Sequence, residues 1–150
     1  MELHAHMLRV AIPYGTLNTI QLRALADVAD KYDRGFGHFT TRQNIQYNWI
    51  ELSEIANLLR ELSSVGLHAI QTSGKATRNI TADPLSGLTE GEIADARPYC
   101  ELIRRWFNLH PEFSWLPGKF KIAVNGAKLD ETALRVHDLG LRLVRNNEGE

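Results

Sequence analysis

Gly37-His38-Phe39-Thr40-Thr41-Arg42-Gln43-Asn44-Ile45-Gln46-Tyr47-Asn48-Trp49-Ile50 is the stretch on which the reading of the fold turns. From Ile45 onward it alternates. Ile45, Tyr47 and Trp49 fall on one side, and Asn44, Gln46 and Asn48 on the other, the period of two that marks a half-buried strand. Its polar side carries amides with Arg42 at their head, where a merely solvated strand more often carries Thr, Lys and Glu. Amides and a guanidinium are hydrogen-bonding groups of fixed geometry, suited to an anionic or polar ligand. An edge strand with an ordinary wet face has the same alternation, so the pattern alone leaves both readings open. About 14 residues is long for one strand, and the stretch is therefore expected to be a hairpin bent near Arg42-Gln43.

Working outward, residues 7–12 read as a first strand, stopped by Pro13-Tyr14-Gly15. Asn18 can cap the helix that follows, with Gln21 three residues on in a capping-box arrangement. Leu22, Leu25, Ala26, Ala29 and Tyr32 recur at helical spacing, and Gly35 supplies a stop. Beyond the hairpin, Ser53 is expected to cap a second helix with the stripe Ile55, Leu58, Leu59, Leu62 and Val65, closed by Gly66. Residues 67–72 complete the unit as a last strand. Strand, helix, strand, strand, helix, strand is the ferredoxin-like α+β order, βαββαβ. Both helices then cover one face of the sheet. Ile45, Tyr47 and Trp49 are expected beneath them, leaving Asn44, Gln46 and Asn48 on an open face.

From Ser73 the texture changes. Residues 73–79 form a small-residue loop with two basic groups, residues 83–87 a turn, and residues 88–94 a linker. The expected domains are thus 1–87 and 88–150. Asp95 can cap a third helix with Pro98 in its first turn and an apolar face of Tyr99, Leu102, Ile103, Trp106 and Phe107. Cys100 on that helix reads as partly buried and inert. In residues 116–124, Phe120, Ile122 and Val124 share one face of a strand, so Lys119 and Lys121 project together from the other. Two adjacent ammonium groups repel unless solvent or an anion screens them, and a lysine-protected edge strand is the alternative. Residues 139–144 read as another strand, with a turn-rich segment at 146–149. One helix and two strands are too few to close a core, so the chain is expected to be part of a longer protein.

With 43% hydrophobic and 23% charged residues and a formal net charge of -1, the chain has no global bias toward nucleic acid or anionic membrane. Any anion site must be a local basic cluster. Cys100 is the single cysteine, which excludes a disulfide framework, a cysteine-rich zinc site and a self-contained iron–sulfur site. No apolar run approaches the roughly 20 residues that span a bilayer, and the first residues lack the regions of a signal peptide. A cytoplasmic location is expected. His4 and His6, two residues apart, lack further ligands nearby, so a surface strand accounts for them more simply than a metal.

Thr40-Thr41-Arg42-Gln43-Asn44-Ile45-Gln46, the loop Thr77-Arg78-Asn79 and Leu116-Pro117-Gly118-Lys119-Phe120-Lys121 stand in an order and spacing that resemble the siroheme-dependent sulfite and nitrite reductases. The segments around Met7-Leu8-Arg9 and Arg97-Pro98-Tyr99 look most like the sulfite reductase hemoprotein branch. The resemblance covers essentially the whole chain. It implies a ferredoxin-like half-domain followed by the start of the α/β siroheme-binding domain, and an active site of siroheme coupled to a 4Fe-4S cluster. Carried over by motif, Arg42, Arg78, Lys119 and Lys121 are the basic groups that receive the substrate oxyanion. Arginine offers a fixed cationic fork, and lysine a point charge and a transferable proton. Arg42, Gln43, Asn44, Gln46, Arg78 and Asn79 are the contacts to siroheme that the resemblance implies, the amides orienting its carboxylates or ordered water.

The resemblance further implies sulfite or nitrite as substrate and a flavoprotein subunit or ferredoxin as electron donor. It implies a C-terminal half that supplies the cluster cysteines and a glycine-rich segment following Glu150. Gly118 stands where the family frequently has arginine, which weakens the local cationic field. The alternative is a free-standing ferredoxin-like module that holds a small anion or regulatory ligand. RNA binding fits poorly, because Tyr47 and Trp49 fall on the apolar side of the strand.

Overall fold

The computed structural model of the chain describes residues 6–146. They divide into two compact units, one of residues 6–12 and 16–72, the other of residues 13–15 and 73–146. His4 and, from residue 147 on, the turn-rich segment expected at 146–149 lie outside the described residues.

The first unit carries β1 (His6–Val10), α1 (Thr19–Tyr32), β2 (His38–Phe39), β3 (Ile45–Ile50) and α2 (Ile55–Ser64). Its sheet is antiparallel in the order β1-β3-β2. Asn18 and Gln21 form the expected capping box at the start of α1. Beyond α1, Gly35 at φ 80° donates its N–H to Ala29 O at 3.0 Å. The buried stripe of α1 is Leu25, Val28, Ala29 and Tyr32, while Leu22 and Ala26, expected inside, are exposed. These positions follow the i, i+3, i+4, i+7 pattern, so burial selects a stripe rotated from the expected one. They meet Leu58 and Leu62 of α2 and Val10, Ile45, Tyr47 and Ile50 of the sheet in one core.

Three further expectations for this unit are corrected. Ser53 does not cap α2. It lies in a 3-10 turn, Leu52–Glu54, and the cap position is Glu54 with no side-chain bond. A backbone bond from Glu54 N–H to Glu51 O at 3.0 Å tightens the entry instead. Trp49 does not join Ile45 and Tyr47 in the core. The pairing of β1 with β3 shifts between His6↔Ile50 and Leu8↔Tyr47, so Asn48 and Trp49 together oppose Met7. That bulge reverses the alternation and sends Ile50 inward, leaving Trp49 half-buried under the Arg34 guanidinium at 3.4 Å. The Asp33 carboxylate accepts the N–H groups of Asn48 at 2.7 Å and Trp49 at 3.4 Å, taking up donors that the bulge frees from the ladder. Finally, the last strand is reduced to one bridge, Ala11↔His68. It lies at the ferredoxin-like position beside β1, but Gln71 at φ 66° turns the chain out of line.

The second unit carries β4 (Thr81–Ala82), α3 (Arg97–Phe107), β5 (Ile122–Asn125) and β6 (Leu139–Arg142). Its strands are parallel in the order β4-β5-β6. All of β5 is buried, as expected for a central parallel strand. The core joins Ile80, Ala82, Ala96, Cys100, Ile122 and Val124, with Tyr14, Ile103, Phe107 and Leu141 packed around it. The apolar face expected for α3 is therefore corrected. Cys100, Ile103 and Phe107 face the sheet, and Tyr99, Leu102 and Trp106 face outward. The small side chains of Ala96 and Cys100 let the helix approach the strands closely, which the aromatic stripe would prevent.

Asp95 stands one residue ahead of the cap position Ala96, yet its Oδ1 accepts the Arg97 N–H at 2.9 Å. Residues 88–94 are bound into this unit. Ile93 N–H donates to Gly126 O at 2.7 Å, and the Glu92 carboxylate accepts from Ser86 Oγ at 2.9 Å and Gly87 N–H at 2.7 Å. The structural division accordingly falls between Thr72 and Ser73, ahead of the 87/88 boundary read from sequence texture. Among the described residues no helix is long and apolar enough to cross a membrane.

Candidate functional site

In the first unit the hairpin holds Arg42 at its tip. Thr40 N–H donates to Asn44 O at 2.8 Å, and Gln43 N–H donates to Thr40 O at 3.0 Å with Gln43 at φ 55°. The Thr40 hydroxyl accepts the N–H groups of Arg42 and Asn44, each at 3.3 Å. The bend expected at Arg42-Gln43 is thus a tight, side-chain-pinned turn. Asn44 is 2% exposed, and its Oδ1 accepts the Ile12 N–H at 3.2 Å. Its side-chain oxygen therefore locks the hairpin base to the end of β1 rather than facing out from the sheet.

Gln46 sits opposite Arg9 in the ladder. Arg9 donates to Gln46 Oε1 from Nε at 3.2 Å and from Nη2 at 3.1 Å, and from Nη1 to Thr72 O at 2.8 Å. Arg9 is a residue that the motif reading passed over. Its signal was the alternation of residues 7–12, which puts Arg9 on the face opposite Leu8, Val10 and Ile12. A half-buried guanidinium, oriented by a side-chain amide and a backbone carbonyl, is a pre-organised cation on the face turned away from the helices.

In the second unit Arg78 lies between buried Thr77 and Asn79. Its N–H donates to Phe120 O at 3.0 Å. This bond extends the β4–β5 ladder, in which Thr81 and Ala82 pair with Ala123 and Val124, backward beyond both strands. It sets Arg78 beside the segment that carries Lys119 and Lys121, at the amino ends of β4 and β5. The two lysines are not neighbours on one strand, as was expected. Lys119 is exposed in a turn at φ 67°, which ends the alternation. Lys121 immediately precedes β5, and its N–H donates to Asp138 Oδ2 at 2.9 Å. The described geometry therefore joins Arg78, Asn79, Lys119 and Lys121 in one unit, and Arg42, Gln43, Asn44 and Gln46 in the other.

The donor set suits a ligand rich in carboxylates or a compact oxyanion: guanidinium, ammonium and amide groups, without competing carboxylates in the motifs. Thr77 Oγ1, beside Arg78 in the basic loop, is enclosed without a hydrogen-bond partner among the described residues. Such an atom costs about 1–3 kcal/mol, a cost that a bound polar group at the basic loop would offset. Siroheme fits this chemistry. A cluster bound by four thiolates does not fit this stretch alone, because Cys100 is the single cysteine. Cys100 is fully buried, and burial first, then the Asp95 charge, pushes its thiol up to about 12. Among the described residues no three His, Cys, Asp or Glu side chains gather to hold a metal ion.

Residues 2–65 match the family described as nitrite/sulfite reductase ferredoxin-like half domain, and residues 73–150 the nitrite and sulphite reductase 4Fe-4S domain. The chain is 34% identical over 138 residues to the ferredoxin–nitrite reductase of Leptolyngbya laminosa, covering 89% of this chain and 27% of that protein. It is 31% identical over 148 residues to a ferredoxin sulfite reductase of Mycobacterium tuberculosis, covering 99% of this chain and 26% of that one. The solved structure of the Mycobacterium tuberculosis NirA protein superposes with a TM-score of 0.87 at 32% identity, over 95% of this chain and 26% of that chain. Dissimilatory sulfite reductase I, at 19% identity and a TM-score of 0.67, shares the fold. The chain spans about a quarter of the length of these relatives.

Proposed function

The chain belongs to the siroheme-dependent nitrite and sulfite reductase family, and from that premise we propose that it forms the substrate-side part of the reductase, where basic groups receive the oxyanion. The observation that carries this reading is the bond from Arg78 N–H to Phe120 O, which gathers three of the four motif cations at the amino ends of two parallel strands. Sulfite is a compact dianion and nitrite a monoanion, and each loses oxygen as water after repeated addition of electrons and protons. Siroheme, when bound, supplies the electron path to the anion. Arg78 holds the oxyanion by a planar fork, and Lys119 and Lys121 add point charge and a proton at Nζ. Arg42, at the pinned hairpin tip, is assigned to the same anion and to siroheme carboxylates. Arg9 and Gln46 present a fixed polar face for the tetrapyrrole edge, and Gln43 and Asn79 are assigned to the same cofactor by their motifs. The electron donor in this reading is a ferredoxin or a flavoprotein subunit, and the remaining part of the reductase supplies the cluster thiolates.

In a full-length reductase carrying this chain, Arg78→Ala and Lys121→Ala are expected to lower sulfite or nitrite turnover on the order of 10-fold to 100-fold. Siroheme absorbance should stay close to the parent value. Turnover of both anions unchanged in both variants would remove the anion role.

A further inference from the structure

We propose a second ligand site in the second unit, a cleft at the carboxyl ends of β4 and β5 that takes the ammonium group of a small apolar amine. Because β4 and β5 run parallel, the residues that precede them and those that follow them lie at opposite ends. The cationic motif residues precede. Asp83 follows β4, and residues 126–131 follow β5. The cleft lined by Asp83, Pro84, Leu85, Ala127, Lys128 and Leu129, among others, encloses about 530 Å³, a volume that suits a small organic molecule. The carboxyl ends of parallel strands are also where open α/β sheets place ligands.

Pro84, Leu85, Ala127 and Leu129 give the cleft apolar walls. Asp83 is its buried charge, 4% exposed. Leu85 N–H donates to Asp83 Oδ1 at 2.8 Å. Among the described residues this is the one hydrogen bond to the Asp83 side chain, which leaves Oδ2 available. Oδ2 is not among the enclosed unpaired atoms of the described residues, so it is open to a ligand, and a largely buried carboxylate gains from a donor or cation placed there. The opposite wall is held in advance: buried Asn125 donates from Nδ2 to Ala127 O at 2.8 Å and Leu129 O at 2.9 Å. Lys128 and Glu131, both exposed on the lining, offset one another, so Asp83 sets the sign of the cleft. It repels an anion and complements an ammonium. The site is independent of the reductase reading.

The test is a titration of the ¹⁵N-labelled chain with 2-phenylethylammonium, its neutral isostere 2-phenylethanol, and phenylacetate. The amine is expected to shift the amides of Leu85, Ala127 and Leu129, saturating at roughly millimolar concentration. The alcohol should bind about tenfold more weakly, and phenylacetate should cause no saturable shift. Asp83→Asn keeps an Oδ1 acceptor for the Leu85 N–H and is expected to reduce the amine to the affinity of the alcohol. Should Asp83→Asn fail to fold, Leu129→Arg, at a position 73% exposed, serves as the second variant and should abolish amine binding. Equal binding of amine and alcohol, shifts confined to other residues, no saturable shift at all, or full amine affinity in a folded Asp83→Asn or Leu129→Arg chain would each overturn the proposal.

Discussion

A Cβ on Gly126 would lie 1.9 Å from the carbonyl oxygen of Ala94, a contact that no rotamer change can relieve because both sides are backbone. The Gly126 carbonyl also accepts the Ile93 N–H at 2.7 Å, so the two segments cannot part without losing that bond. Gly126→Ala is expected to destabilise the chain on the order of 3 kcal/mol, measurable as a lower urea midpoint. Cys100 makes a second residue-scale test. Its folded thiol at about 12 stands above an unfolded value of about 8.5. Between those values the unfolded chain releases a proton that the folded chain retains, so stability falls as pH rises through that window. At pH 8 a thiol reagent should label Cys100 only at the rate of unfolding, and rapid stoichiometric labelling would contradict this burial. At this scale much was legible. Arginine and lysine announce themselves by type, although the strand expected to carry Lys119 and Lys121 side by side gives way to a turn at Lys119. Asn44 did not announce its role, because an amide oxygen pinned to the Ile12 N–H and one facing solvent look identical in a sequence.

Among the elements, α3 carries a charge network that titrates. Glu101 accepts from Arg104 at 2.7 and 2.8 Å and from Arg105 at 2.6 Å. Those bonds, Arg104 first, hold its carboxyl down at about 2, below an unfolded value of about 4.3. The stabilisation is complete above about pH 4.3 and is lost as pH falls toward 2. Glu101→Gln should therefore cost about 1 kcal/mol at pH 7 and flatten the acid limb of stability against pH. A variant with an unaltered limb would show that the network contributes nothing. The same helix shows where element-level reading failed. Its sequence has two apolar stripes, and helical periodicity cannot say which one meets a sheet. The larger stripe lost because Ala96 and Cys100 permit closer approach. The hairpin was legible because its turn is local. The bulge at Asn48-Trp49 was not, because it depends on pairing with β1 and on an Asp33 carboxylate 15 residues away in sequence.

For the molecule as a whole, the decisive quantity is how much of a redox site one stretch of polypeptide can hold. The chain matches the half domain and the 4Fe-4S domain of its family, yet spans 26% of the chain of the NirA structure. It brings guanidinium, ammonium and amide donors but one thiol, and that thiol is sealed in the second core under α3. Cationic donors alone bind a polycarboxylate weakly, because each contact at an open surface is screened and must also order its side chain. Tight retention of a tetrapyrrole needs enclosure and an iron ligand, and a thiolate held near 12 cannot serve at neutral pH. The isolated chain, mixed with siroheme, is therefore expected to bind it weakly and to show no sulfite or nitrite reduction with a chemical electron donor. Co-expression with the remaining part of a related reductase should raise siroheme retention, and in that complex Arg42→Ala should lower it by weakening carboxylate contacts. Absorbance in the Soret region and iron content after gel filtration read both outcomes. A purified single chain with a strong siroheme band and stoichiometric iron would show that this chain suffices to hold the cofactor, and the division of labour argued from the cationic and cysteine inventory would fall.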